Sequence, residues 1–162
     1  MGEPAKPPVA PSMNLADTTF PNIDSIHAVQ ANAPSRPLRV LIADDYEAVR
    51  LGLCAILRSV DIEVCGQAKN GEEAVEKSIQ LRPDLIILDI SMPGLGGIEA
   101  ARQIRVLLPD VPILFFTTHK TPQLFAIAKS VGAQGFVTKD QAAVRLLEAV
   151  DALRHKETYF SF

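Results

Sequence analysis

From Leu38 onward, short apolar runs and longer segments with helical spacing follow one another and predict five strand–helix units. Short apolar runs end at polar residues, and each run is followed by a segment whose apolar residues recur every three or four positions. Continuous apolar runs are typical of strands buried on both faces, and the longer spacing is typical of helices with one buried side. The predicted strands are 38–43, 61–68, 85–88, 113–116 and 135–138.

The second predicted strand differs from the others because apolar and polar residues alternate along it. We expect one face to carry Ile62, Val64, Gly66 and Ala68. Such alternation indicates a strand at the edge of the sheet. Strands that alternate with helices favour a parallel sheet covered on both faces. We therefore expect an α/β, flavodoxin-like doubly wound (βα)5 fold with strand order 2-1-3-4-5, in which ligands bind beyond the carboxyl ends of the strands.

Capping signals mark the start of two predicted helices. Asn70, followed three residues later by Glu73, is typical of a capping box, and Thr121 before Pro122 is typical of a capped first turn. The spacing also predicts that Ile79 in the second helix and Ile127 in the fourth face the core. The glycine-rich stretch 94–97 is expected to allow a tight turn and close helix packing, and its spacing does not fit a dinucleotide-binding loop.

Proline content separates residues 1–37 from the rest of the chain. Seven of the twelve prolines lie there, and long apolar runs are absent. Such a segment cannot bury enough apolar surface to offset the entropy of ordering it, so we predict a disordered, proline-rich leader. We expect one folded domain over 38–156 and a short apolar tail over 157–162. For this tail the sequence leaves open docking on the flank of the sheet, a dimer contact or the remnant of a further domain.

Composition and charge narrow the class of protein. Hydrophobic residues make up 48% of the chain, charged residues 22%, and the net charge is −3, which is ordinary for a soluble globular protein. A broad basic surface for nucleic acid is not expected, and no apolar run approaches the roughly 18 residues of a membrane span. Two cysteines, Cys54 and Cys65, are too few for a disulfide framework or a zinc site and favour a reducing, cytoplasmic setting.

Charged and hydroxyl residues stand where four of the predicted strands end. They are Asp44 and Asp45 after the first strand, Asp89 after the third, Thr117 after the fourth and Lys139 after the fifth. Three neighbouring carboxylates repel one another unless a proton is taken up or a cation is bound. Hard oxygen ligands suit Mg²⁺, and an aspartate carboxylate can accept a phosphoryl group. The sequence therefore predicts an acidic site that combines a divalent cation with phosphate chemistry.

Four stretches in this order resemble the response-regulator receiver domain of two-component signalling: 40–45, 84–94, 112–117 and 132–140. The resemblance extends over about 38–153, so the expected folded domain is a receiver domain. Arg50 to Leu53, and Asp140 where many receivers have proline, resemble the NarL/LuxR-type subgroup. Members of that subgroup usually continue into a helix-turn-helix domain. Because none follows the fifth unit in this chain, we expect no direct contact with nucleic acid.

The resemblance implies a metal ion and a phosphoacceptor in the acidic site. Asp89 resembles the phosphoacceptor and also contributes to the metal site. Asp45 resembles the direct Mg²⁺ ligand, and Asp44 resembles its neighbour that often acts through water. The backbone carbonyl of Ser91, two residues past the acceptor, would complete the Mg²⁺ site.

The resemblance also implies residues that respond to phosphorylation. Thr117 resembles the hydroxyl that moves to bond the phosphoryl group, and Lys139 resembles the lysine that pairs with it. Phe136 stands at the switch position, whose ring turns inward when the hydroxyl moves. Ser91 and His119 stand at positions that tune the rate of dephosphorylation.

The function implied is a phosphorylation-dependent switch in a phosphorelay, with a sensor histidine kinase as phosphoryl donor. The fourth helix, the fifth strand and the fifth helix would shift and be read by an effector or a second copy. No enzyme activity is expected beyond phosphotransfer to and from the chain itself. One alternative is an aspartyl-phosphate phosphohydrolase, although such enzymes need an aspartate where Ser91 stands. The other is an interaction module that is independent of phosphate, although it would leave the acidic set unused.

Overall fold

The computed structural model of the protein describes residues 36–161, apart from the side chain of Ala143. The predicted leader therefore lies outside the described residues, except for its last two positions. The elements in chain order are β1 (Arg39–Ala43), α1 (Glu47–Arg58), β2 (Glu63–Ala68), α2 (Gly71–Leu81), β3 (Leu85–Leu88), α3 (Gly97–Leu107), β4 (Ile113–Thr117), α4 (Pro122–Ser130), β5 (Gly135–Thr138), α5 (Ala142–Arg154) and β6 (Tyr159–Phe160). A 3₁₀ turn, Lys139–Gln141, joins β5 to α5.

The strands form one parallel sheet in the order β2-β1-β3-β4-β5-β6. This order confirms the predicted doubly wound sheet and adds a sixth strand next to β5. Tyr159 pairs with Gly135, and Phe160 pairs with Phe136. Residues 159 and 160 of the predicted apolar tail therefore dock on the flank of the sheet, which was one of the three alternatives that the sequence left open.

The core has two layers, one on each face of the sheet. On one face α2, α3 and α4 pack against strand residues Leu41, Ile86, Leu88, Ile113, Phe115 and Phe136. On the other face α1 and α5 pack against Val40, Ile42, Leu85, Ile87, Leu114, Phe116 and Val137. Burial on both faces explains why β3 and β4 are continuous apolar runs.

The strict alternation predicted for β2 is wrong in one respect. The register against β1 shifts so that Val40 pairs with Val64 and Leu41 pairs with Gly66, which leaves Cys65 as the extra residue of a β-bulge. As a result Val64 packs on the layer with α1, whereas Cys65 and Ala68 pack on the other. The predicted edge position of the strand is confirmed.

Both predicted helix caps are present. The side chain of Asn70 accepts a hydrogen bond from the backbone N–H of Glu73, and that of Thr121 accepts one from Leu124. The inward orientation predicted for Ile79 and Ile127 is wrong, since these side chains are 43% and 37% exposed. The buried faces of α2 and α4 carry small residues instead, so each helix lies close to the sheet and its larger apolar side chains stay at the boundary.

Candidate functional site

The carboxyl ends of β1, β3 and β5 bring the acidic residues and the lysine to one crevice. Asp44 follows β1 and Asp89 follows β3, and both are almost fully buried. Their backbones are still held by neighbouring strands: the N–H of Asp44 donates to the carbonyl of Ala68 at 3.0 Å, and that of Asp89 donates to the carbonyl of Ala43 at 2.8 Å. The sheet thus fixes the backbone positions of both aspartates.

Three carboxylates converge at this point. Oxygens of Asp44, Asp45 and Asp89 lie within 4.8 Å of one another. Oδ1 of Asp45 and Oδ1 of Asp89 are buried and accept no hydrogen bond from the described residues. A buried acceptor without a hydrogen-bond donor costs free energy of folding. A hard divalent cation satisfies several carboxylate oxygens together, because they are its preferred ligands. The residues present therefore fit a divalent cation.

Lys139 supplies the positive charge of the site. Its Nζ lies 2.5 Å from Oδ2 of Asp44 and 3.2 Å from Oδ2 of Asp89. Burial opposes the charge on Lys139, but the hydrogen bond to Asp44 and the charges of both carboxylates outweigh burial and raise its pKa. Burial raises the pKa of Asp89 more than Lys139 lowers it. One ammonium against three carboxylates leaves the crevice with excess negative charge.

Thr117 lies at the end of β4, between the strand that leads to Asp89 and the strand that leads to Lys139. It is fully buried and pairs in register with Thr138. Its Oγ1 accepts a hydrogen bond from the backbone N–H of His119 at 3.3 Å. The loop after β4 thus holds this hydroxyl at the carboxyl edge of the sheet, where the acidic residues also lie.

The three remaining predicted residues lie outside the acidic cluster. Ser91 and His119 are exposed in the loops that follow Asp89 and Thr117. Phe136 is fully buried in β5 and contacts Phe125 of α4 edge-to-face, with ring centroids 5.7 Å apart. The ring therefore occupies an inward position in this structure.

Two supporting residues escaped sequence reasoning. Nη1 of Arg50, in the second turn of α1, donates to the carbonyl of Asp44 at 2.8 Å. Oε1 of Glu72, in the first turn of α2, accepts from the N–H of Leu95 at 2.9 Å and so holds the loop after β3. Arg50 belongs to the stretch that indicated the NarL/LuxR subgroup, and that was its only signal. Glu72 gave none, because its partner is distant in the chain.

Asp140, where many receivers carry proline, joins two loops at the rim of the site. Its Oδ2 lies 2.7 Å from Nζ of Lys120, and its Oδ1 accepts a hydrogen bond from the hydroxyl of Thr138. The pair connects the loop after β4 to the turn after β5.

Gly97 allows α3 to begin directly against the backbone of Asp89. A Cβ at this residue would lie 1.9 Å from the carbonyl oxygen of Asp89. The close helix packing expected for the stretch 94–97 is thus present at its last glycine.

Residues 40–151 match the model of a protein family described as "Response regulator receiver domain". The chain belongs to this family. The strand order and the strand-end residues are those expected from the resemblance to a receiver of the NarL/LuxR type, and the comparisons confirm that identification.

Curated relatives and solved structures agree. The chain is 33% identical to response regulator GacA of Pseudomonas viridiflava over 125 residues, which are 76% of this chain and 58% of that protein. It is 39% identical to transcriptional regulatory protein LnrK of Bacillus subtilis (strain 168) over 114 residues, 70% of this chain and 52% of that protein. The crystal structure of a LuxR-family two-component response regulator from Aurantimonas sp. SI85-9A1 matches with a TM-score of 0.73 and 31% identity, over 76% of this chain and 89% of that one.

The chain spans little more than half the length of the curated relatives it matches. The match therefore covers only part of each of these relatives. Across residues 36–161, every helix is too short or too polar to cross a bilayer.

Proposed function

We propose that the protein is a phosphorylation-dependent switch in a two-component phosphorelay, in which Asp89 accepts a phosphoryl group from a sensor histidine kinase. One observation carries this proposal: Asp44, Asp45 and Asp89 converge within 4.8 Å beside the ammonium of Lys139. The match of the receiver family to 40–151 supports it. The unpaired thiols of Cys54 and Cys65 fit a cytoplasmic location.

The proposed reaction transfers one phosphoryl group to a carboxylate oxygen of Asp89. A new P–O bond forms, the bond between phosphorus and the donor atom breaks, and the donor leaves with that electron pair and takes up a proton. Asp44, Asp45, Asp89 and the backbone carbonyl of Ser91 would hold Mg²⁺, which offsets the negative charge that builds up during transfer. Lys139, whose Nζ lies 3.2 Å from Oδ2 of Asp89, would pair with a phosphoryl oxygen.

The proposed response follows from the added charge. The hydroxyl of Thr117 would leave its contact with the N–H of His119 and bond a phosphoryl oxygen. Phe136 would hold its ring inward, and the α4-β5-α5 surface would shift between two populations and be read by an effector or a second copy. Ser91 and His119, both exposed beside the site, would tune the lifetime of the phosphoryl group.

The chemistry proposed is confined to the chain's own phosphorylation and dephosphorylation. A phosphohydrolase that works through an aspartyl phosphate needs an acid/base aspartate where this chain has Ser91, so steady turnover of phosphate esters is not expected. A phosphate-independent module would have no use for three converging carboxylates. The proposal includes no direct contact with nucleic acid or a membrane.

Intact-mass measurement with acetyl phosphate tests the proposal. We expect the full chain to gain one phosphoryl group with Mg²⁺ and none with EDTA. Asp89→Asn is expected to abolish the gain, whereas Asp61→Asn, the same change at an exposed loop residue, is expected to keep it. An unmodified wild-type chain, or a gain that persists in Asp89→Asn, would refute the role of Asp89.

A further inference from the structure

The segment 159–161 forms a strap that covers the outer edge of β5. The N–H of Tyr159 donates to the carbonyl of Gln134 at 2.9 Å, and the N–H of Ser161 donates to the carbonyl of Phe136 at 2.9 Å. Without these bonds the edge of β5 would expose unpaired backbone groups. The strap therefore belongs to the sheet beside Phe136.

An aromatic chain links the strap to Phe136. The ring of Phe160 packs edge-to-face on Phe125 of α4, with centroids 5.2 Å apart, and Phe125 packs in the same way on Phe136 at 5.7 Å. The ammonium of Lys129 lies 4.6 Å from the Phe125 centroid and 4.8 Å from that of Phe160. Such contacts contribute beyond the area they bury, so the strap, α4 and β5 support one another.

Polar contacts attach both ends of the strap. The hydroxyl of Tyr159 donates to Oε2 of Glu148 in α5 at 2.6 Å. The hydroxyl of Ser161 donates at 3.0 Å to Oε1 of Gln141, which lies two residues after Lys139. The strap thus connects α5, the aromatic chain and the turn that carries the lysine of the site.

We propose that the strap holds Phe136 in its inward position and so biases the chain toward the arrangement that accepts a phosphoryl group. An outward turn would carry the ring toward the edge of β5, where Phe160 lies in register beside it. The strap raises the free energy of that outward arrangement. A contact that favours the inward ring therefore raises the population of chains that can accept a phosphoryl group, and the rate of phosphorylation follows that population. This inference rests on the proposed function, in which the ring of Phe136 stays inward when the hydroxyl of Thr117 bonds the phosphoryl group.

The test uses the full chain with Phe160→Ala, which removes the aromatic contact of the strap. We expect faster hydrogen exchange at the amides of Tyr159 and Ser161, and unchanged Mg²⁺ affinity. Phosphorylation by acetyl phosphate is expected to slow about five-fold, because fewer chains hold the inward ring. Val144→Ala, which trims a 66% exposed side chain of α5, is expected to leave all three quantities at wild-type values. Released strap amides with phosphorylation at the wild-type rate would overturn the proposal.

Ser161→Pro provides a second variant, because it removes both hydrogen bonds of Ser161, to the carbonyl of Phe136 and to Gln141, and keeps the aromatic side chain of Phe160. It is expected to slow phosphorylation in the same direction as Phe160→Ala. Failure of the wild-type chain to become phosphorylated would overturn the proposed function. A wild-type chain phosphorylated on Asp89, with unchanged rates in both variants, would overturn the strap proposal alone.

Discussion

The ammonium of Lys139 lies closer to Asp44 than to Asp89, with distances of 2.5 Å and 3.2 Å from Nζ to the respective Oδ2 atoms. A residue that follows β5 therefore bridges carboxylates that follow β1 and β3. The same ammonium that would meet a phosphoryl group on Asp89 offsets the charge of Asp44 beforehand. A divalent cation bound by the three carboxylates would therefore add to the positive charge of Lys139 in this crevice.

Removing this lysine is expected to destabilise the fold. Lys139→Met leaves two buried carboxylates without their ammonium, and loss of one partner from a buried pair costs about 3 kcal/mol. Because Mg²⁺ would offset the same charge, we expect it to stabilise the variant more than the wild type. Urea unfolding with Mg²⁺ and with EDTA measures both effects.

Lys120→Met is the matched control, since its pair with Asp140 is about half exposed and such pairs contribute about 0–1 kcal/mol. Equal losses in the two lysine variants would contradict the central place given to Lys139.

Metal affinity is expected to depend on Asp45. Asp45→Asn removes one carboxylate charge from the cluster with Asp44 and Asp89. The amide oxygen that remains at position 45 is a weaker ligand for Mg²⁺. Mutation of residues that only hydrogen-bond to a metal ligand typically lowers metal affinity about 10–100-fold. For a residue that binds the metal itself, we expect a loss of Mg²⁺ affinity of at least about tenfold. Calorimetric titration with Mg²⁺ measures it, with Asp61→Asn as the control that keeps wild-type affinity. Equal affinity in the two variants would remove Asp45 from the metal site.

The convergence of the acidic site was predictable because it depends on few rules. Runs such as Leu85–Leu88 indicate parallel buried strands, and the carboxyl ends of parallel strands meet at one edge. Asp89 and Lys139 could thus be placed together, although 50 positions separate them. The resemblance to receivers then supplied a role for each residue.

What escaped prediction depends on tertiary contacts. The bulge at Cys65 arises from pairing with β1, and alternation within β2 alone gives no sign of it. A strand as short as Tyr159–Phe160 has no periodicity, and it forms because β5 offers an open edge. Glu72 holds Leu95 only because α2 lies beside the loop after β3.

A methyl group at Gly97 is expected to displace the backbone of Asp89 and so disturb the acidic site. Gly97→Ala would press on the carbonyl of Asp89, and such overpacking costs about 1–3 kcal/mol. Phosphorylation by acetyl phosphate should slow as Asp89 moves. Thermal unfolding and the phosphorylation rate measure the two effects.

Gly52→Ala is the control, since nothing lies within 4 Å of its added Cβ on α1. Alanine is the better helix former, so this variant should gain about 0.5–1 kcal/mol and keep the wild-type rate. Loss of stability in both variants, or in neither, would contradict the close approach at Gly97.

Asp84 is expected to give the fold part of its acid sensitivity. Hydrogen bonds from Arg36, at 2.7 and 2.8 Å, and from the backbone N–H of Arg39 outweigh burial and lower the pKa of Asp84. A carboxyl with a lowered folded pKa stabilises the fold above its unfolded pKa of about 3.9 and loses that contribution as the pH falls through the folded value.

Asp84→Asn should therefore cost about 1–2 kcal/mol at neutral pH, and its difference from wild type should shrink below about pH 4. Unfolding free energies measured across this range check the direction. A difference that stays constant, or grows on acidification, would contradict the assignment.

The most direct test locates the phosphoryl group itself. The full chain is treated with acetyl phosphate and Mg²⁺, reduced with borohydride, which converts an aspartyl phosphate to homoserine, and analysed by peptide mass spectrometry. The account predicts homoserine at position 89 and at no other aspartate. Unreduced Asp89 in a phosphorylated chain, or homoserine at a different position, would contradict it.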